Sequence, residues 1–194
     1  MRALARVHRE ESGMSLIELI VYMALMGVVL TIATGFLINS MSTQKNVQSS
    51  TDATSAAQIV ANSVAAAVSN ASAVQQGTAL NASDQLVVAR TATRGDTAAW
   101  MCQAWYYSAA DHAIYTSTSN PAAPITVPTG GPAGVWTLLA SNVDAPAGAN
   151  ALHATSGSVS LNFSVRAAGG AAVNIQTTDY LRVPATAIVS SPCF

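Results

Sequence analysis

The residue whose setting is chemically most unusual is Glu18, a carboxylate at the mouth of the uncharged apolar run Leu19–Ile38. Carrying an acid well into a bilayer costs ~2.5–3.5 kcal/mol on insertion scales, so Glu18 needs either a cationic partner or a place among the headgroups. Cys102 and Cys193 are the two cysteines, and both lie far beyond the apolar run, on the same side of any membrane that it crosses. They are expected to pair, with two unrelated thiols as the alternative. In an oxidising compartment, closing a loop of ~90 residues stabilises a fold by about 2–4 kcal/mol, less any strain. The third group is aromatic: Trp100, Trp105, Tyr106 and Tyr107. On a strand, Trp105 and Tyr107 share one face and Tyr106 takes the other. They serve either as core or as an exposed binding platform for a surface, a glycan or single-stranded DNA.

Other chemistry lacks its pattern. His8, His112 and His153 are too widely spaced for a metal-binding motif, and no cofactor signature occurs. Asp52, Asp84, Asp96, Asp111, Asp144 and Asp179 mostly flank turns, where Asp side chains bond local backbone. Gly130-Gly131 and Gly169-Gly170 are not followed by the helix and lysine of a phosphate cradle. The serines show no nucleophile-elbow pattern, so no enzyme is expected. With a net charge of −1 and only Lys45, Arg90, Arg94, Arg166 and Arg182 as cations after Glu18, a large nucleic-acid groove is not expected, and a small patch at the tip is the alternative left open.

The elements that must position these residues begin with the apolar run. Hydrophobic residues make up 51% of the 194 residues and charged ones 9%, against a usual charged share of about 25%. Residues 1–13, with Arg2, Arg6 and Arg9, are too polar to enter a bilayer and are expected to stay in the cytoplasm. The 20 residues from Leu19 to Ile38 rise ~30 Å as a helix, enough to span, and the upstream arginines direct the C-terminal bulk outward. The competing reading, a secretory signal peptide, fits less well because its apolar core is usually about 7–15 residues long.

The string Gly13-Met14-Ser15-Leu16-Ile17-Glu18-Leu19-Ile20 resembles the processing site of type IV pilins and type II secretion pseudopilins. The resemblance rests on a short charged leader ending in glycine, an apolar first mature residue, a glutamate five positions into the mature chain and an unbroken apolar helix. It implies that a prepilin peptidase cuts between Gly13 and Met14 and that the new amino group of Met14 is methylated. It further implies that Glu18 pairs with such an amino group between subunits, in surroundings where an unpaired carboxylate is costly. Met14 stands where phenylalanine is commonest in that family, and Ser15 where threonine is frequent. Gly35 stands where many major pilins have a kinking proline, so local melting without a fixed kink is expected there.

After Ile38 a helical stripe continues through Ala53, Ala57, Val60, Val64, Val68 and Ala71, predicting one helix from Ser15 to about Ala73, with a polar linker over Ser40–Thr54 as the alternative. Gly77 and Asn81–Asp84 read as stop and turn. Strands are predicted at Gln85–Thr91, Trp100–Ser108, Ala113–Thr118, Val135–Ser141, Ser158–Arg166 and Ala171–Val183, with hairpins at residues 109–112 and at Gly169-Gly170 and a Pro/Gly-rich loop from Asn120 to Gly134. The expected fold class is α+β: a long N-terminal α-helix, transmembrane in its first half, packed against a small antiparallel head sheet of five or six strands. This plan is also what the pilin resemblance implies. The expected organisation is a leader at 1–13, a membrane and filament-core helix at 14–44, its amphipathic continuation at 45–76 and a β head at 77–194.

The function that follows is structural: a subunit, more like a minor one, of a type IV pilus or pilus-like filament. Its partners would be other pilin subunits, the prepilin peptidase, an inner-membrane assembly platform and the membrane itself, with no cofactor. It would first be a single-pass cytoplasmic-membrane precursor with its N-terminus inside, then reach the cell surface. Alternatives are a tip adhesin or DNA-binding minor pilin, a type II secretion pseudopilin, or an ordinary anchored protein that keeps residues 1–13.

Overall fold

The computed structural model describes residues 15–93, 99–168, 171–182 and 192–194. The leader, Gly13, Met14, the Gly169-Gly170 turn and the expected strand end at Val183 lie outside the described residues. The chain divides into two units, Met1–Lys45 and Asn46–Phe194. Helix α1 (Leu16–Val68) runs unbroken from the first into the second, through Gly35 and through the stretch Ser40–Thr54 that admitted a linker.

In the first unit α1 starts at Ser15, whose carbonyl accepts the N–H groups of Glu18 at 3.0 Å and Leu19 at 3.2 Å. Every residue from there to Lys45 is exposed. By length and composition this helix can cross a membrane. Its hydroxyls suit that setting: Thr31 and Thr34 each donate to a carbonyl of their own helix, Val28 and Leu30, at 2.8 Å, so neither needs water.

In the second unit α1 buries Ala53, Ala57, Val60, Val64, Ala67 and Val68, three or four residues apart until the last. The small side chains let two antiparallel sheets approach closely. Sheet A is a meander, β1 (Ala71–Gly77), β2 (Gln85–Ala92), β3 (Trp100–Ser108), β4 (Ala113–Ser119) and β5 (Thr137–Ser141), paired in that order. Sheet B centres on β8 (Ser158–Val165), with β9 (Val173–Tyr180) along one edge and β6 (Val143–Asp144) and β7 (Leu152–Ala154) end to end along the other. One core joins the α1 stripe to Val87, Trp105, Ile114, Leu152, Leu161 and Phe163, drawing on both sheets. A second core lies on the opposite side of sheet A, where Leu86, Val88, Tyr106 and Tyr115 meet Trp136 and the two cysteines. The architecture is α+β and pilin-like, a long apolar N-terminal helix packed against antiparallel sheets.

Four expectations are corrected. The helix ends at Val68 rather than near Ala73, because Asn70 Nδ2 donates to the Ala66 carbonyl at 2.7 Å and the chain turns into β1, over residues expected as helix and stop. Gly77 is not a helix stop but the last residue of β1, opposite Leu86, where a Cβ would lie 2.6 Å from Leu86 Cδ2. The head has two sheets rather than one, because the short strands β6 and β7 pair with β8. Val135 and Trp136 precede β5 in a turn, in which their N–H groups bond the Pro132 carbonyl and the Trp136 ring packs edge-on to Tyr106, 6.2 Å between centroids.

Candidate functional site

At the N-terminal end, Glu18 lies three residues after Ser15, in the first turn of α1. Ser-x-x-Glu is the spacing of a capping box, and a carboxylate there faces the positive end of the helix dipole. The spacing is legible in the sequence, but no capping bond from the Glu18 side chain forms among the described residues. Glu18 makes no side-chain hydrogen bond or ion pair among the described residues, so its carboxylate is open to a partner.

In the head the four aromatic residues do not form one exposed platform. Trp105 and Tyr107 are buried in the helix-side core, and Tyr106 is buried in the opposite one. Alternation set the parity as expected, but both faces of β3 are covered. Trp105 Nε1 donates to Ser63 Oγ at 3.0 Å, tying β3 to α1, and the Tyr107 hydroxyl accepts the Ala145 N–H at 3.3 Å. Trp100 alone stays 42% exposed, and the Arg90 guanidinium lies 4.4 Å from its ring centroid, a cation–π contact.

Cys102 and Cys193 form a disulfide, Cα atoms 5.5 Å apart, that pins the C-terminal end of the chain to β3. Towards the other end of β3, Asp84 is buried but well supplied: it accepts from the Tyr106 hydroxyl at 2.7 Å, Asn81 Nδ2 at 2.7 Å and the Ala109 N–H at 2.9 Å. Burial first, and the bond to Asp84 second, push the Tyr106 phenol up to about 12. Asp84 is therefore more than a turn residue, since it holds the 81–84 turn against the β3–β4 hairpin.

A cluster that sequence reading missed joins the two sheets. Asp144 on β6 pairs with Arg166 Nε and, at 2.9 Å, with His112 Nδ1 from the β3–β4 hairpin. The Arg166 guanidinium, ahead of His112, holds the Asp144 carboxyl below its ordinary value. No sequence signal joins residues 22 and 32 positions apart. His112 is thereby a structural partner, and among the described residues no three His, Cys, Asp or Glu side chains come together as metal ligands.

Residues 8–34 match the family described as the prokaryotic N-terminal methylation motif. Neither a search of curated proteins nor one of solved structures returns a match. That family is structural rather than catalytic in character. The matched segment spans the Gly13–Glu18 string and the apolar start of α1, so the chain carries the type IV prepilin-like cleavage and methylation signal, which supports a protein of the type IV pilin or pseudopilin type.

Proposed function

We propose that this chain is a structural subunit, of the minor kind, of a type IV pilus or pilus-like filament. The prepilin peptidase cuts between Gly13 and Met14, Met14 is methylated, and residues 14–44 hold the precursor in the cytoplasmic membrane with the head outside. An assembly platform then transfers it among other pilin subunits, where residues 14–44 form filament core and the chain from Lys45 onward is displayed. The observation that carries this reading is the methylation motif at residues 8–34 running directly into an apolar helix with no cover from its own chain. A minor position is supported by the loop-rich head and by how few lysines the chain contains.

N-terminal mass spectrometry of the protein from cells with and without the prepilin peptidase tests it. A peptidase-dependent start at methylated Met14 is expected; a start at Met1 or beyond residue 38 sinks the reading. Glu18→Ala is expected to leave cleavage intact and to lower filament incorporation severalfold, measured by immunoblot of sheared filaments. Undiminished incorporation removes the pairing role of Glu18.

A further inference from the structure

Sheet B turns Val159, Leu161, Phe163 and Val165 into the core and leaves its other face open. That face is built in rows by the strand register. His153, Ser160 and Thr178 lie side by side across β7, β8 and β9; Asn162 lies opposite Gln176, Ser164 opposite Asn174, and Ser158 opposite Tyr180 at the end. None of these positions carries an acid, a lysine or an arginine. A solvated face normally carries about a quarter to a third charged residues, so this one is depleted. Asp144 and Arg166 pair with each other at its border, Asp179 lies on β9 at a position of the opposite parity, and Arg182 follows two residues after Tyr180.

The amides on this face are also unused. Asn162, Asn174 and Gln176 make no side-chain hydrogen bond among the described residues. Those of Gln76 and Gln85 are bonded at both their nitrogen and their oxygen, and Gln103 donates to Ser63. The loop Gly148–Asn150 stands beside the rows and makes the face into an open cleft of about 350 Å³, within the size range of small-ligand sites, roughly 300–1,000 Å³. Beyond the cleft, at the end of β9, Tyr180 is 70% exposed, a large ring held on a strand.

Such a surface selects its ligand by elimination. A phosphate polymer needs cations, which the rows lack. A lipid or an apolar peptide would strip water from the amides and hydroxyls without replacing their bonds, at a cost for each. The complement is a neutral polymer carrying both donors and acceptors at short repeat, matched to strands about 4.8 Å apart and to outward side chains about 6.8 Å apart along each strand. It also needs an apolar ring face to stack on Tyr180. We propose that the outer face of sheet B, centred on Asn162, Gln176 and Tyr180, is a binding site for an uncharged polysaccharide. The site does not depend on the filament reading.

The test uses the full-length chain in detergent micelles, with microcrystalline cellulose, chitin and starch granules as probes and immobilised double-stranded DNA as the contrast. Retention on at least one polysaccharide and none on DNA is expected, and it should persist at high salt because no ion pair is involved. Asn162→Ala with Gln176→Ala should weaken retention about tenfold or more, from the loss of two hydrogen-bonding amides. Tyr180→Ala should weaken it comparably, while Tyr180→Phe, which keeps the ring, should bind like the wild type. Gln176 and Tyr180 are exposed and Asn162 half-buried, and urea unfolding followed by circular dichroism that matches the wild type confirms that the variants fold. Absence of retention on all three polysaccharides, loss of retention at high salt, or wild-type binding by either the Asn162→Ala/Gln176→Ala pair or Tyr180→Ala overturns the proposal. N-terminal processing is measured separately, so either idea can fail without the other.

Discussion

Helix α1 carries apolar side chains along both of its halves, but the two halves are covered differently. From Leu16 to Met41 its large apolar residues are 43–77% exposed. From Ala53 to Val68 the apolar stripe is buried under two sheets, with Ala57, Val60, Val64 and Val68 fully enclosed. Full burial of one Val or Leu stabilises by about 1.5–3 kcal/mol, so the second half is held by its own chain while the first leaves that free energy unrealised. A continuous apolar surface of this extent marks a membrane or a protein partner. The small residues after Ala53 allow close approach of the sheets, whereas the large ones before Lys45 are suited to lipid or to a protein partner.

The contrast can be broken most strongly in the covered half. Trp105→Ala removes a fully enclosed ring and its bond to Ser63, and should destabilise the head by about 3–5 kcal/mol in urea unfolding followed by circular dichroism. The start of the mature chain should not change. In the uncovered half, Val29→Arg places a cation where the helix has no cover and should raise the cost of insertion by about 2.5–3.5 kcal/mol. This is measured as the membrane-integrated fraction resistant to carbonate extraction, while head unfolding stays as in the wild type. A gentler pair sharpens the same point: Ala57→Leu overpacks the stripe and should cost about 1–3 kcal/mol, whereas Ala24→Leu, on an exposed turn, should leave the head unchanged.

The smallest expected effect is a pH dependence. Because the folded Tyr106 phenol titrates at about 12, above its ordinary 10.0, its contribution is fully present below pH 10 and is lost as pH rises from 10 towards 12. Tyr106→Phe should flatten that alkaline slope in thermal melts. An unchanged slope would assign it to other groups.

Much of the head was legible as local pattern. Strand β3 runs from Trp100 to Ser108 as read, and β8 alternates as Val159, Leu161, Phe163 and Val165 required. Strand β1 was not legible, since Ala-Ser-Ala-Val-Gln-Gln-Gly has neither a helical nor a strand period and is recruited by pairing with β2. Strands β6 and β7, two and three residues long, are too short to carry a period at all and exist because β8 offers them an edge.

Sequence by itself determined the periodic and the contiguous: the leader-like charge, the glutamate ahead of an uncharged run, the helical stripe and the opposite parity of Trp105 and Tyr106. Each depends on residues within a few positions of one another, where backbone geometry dictates which side chains share a face. Tertiary structure decided what covers each face. Tyr106 is core rather than platform because Trp136 packs against it, His112 reaches Asp144 because β6 joins sheet B, and the neutral rows around Asn162 exist only through the register of three strands. Those contacts join residues tens of positions apart, and no local pattern records which distant segment will arrive.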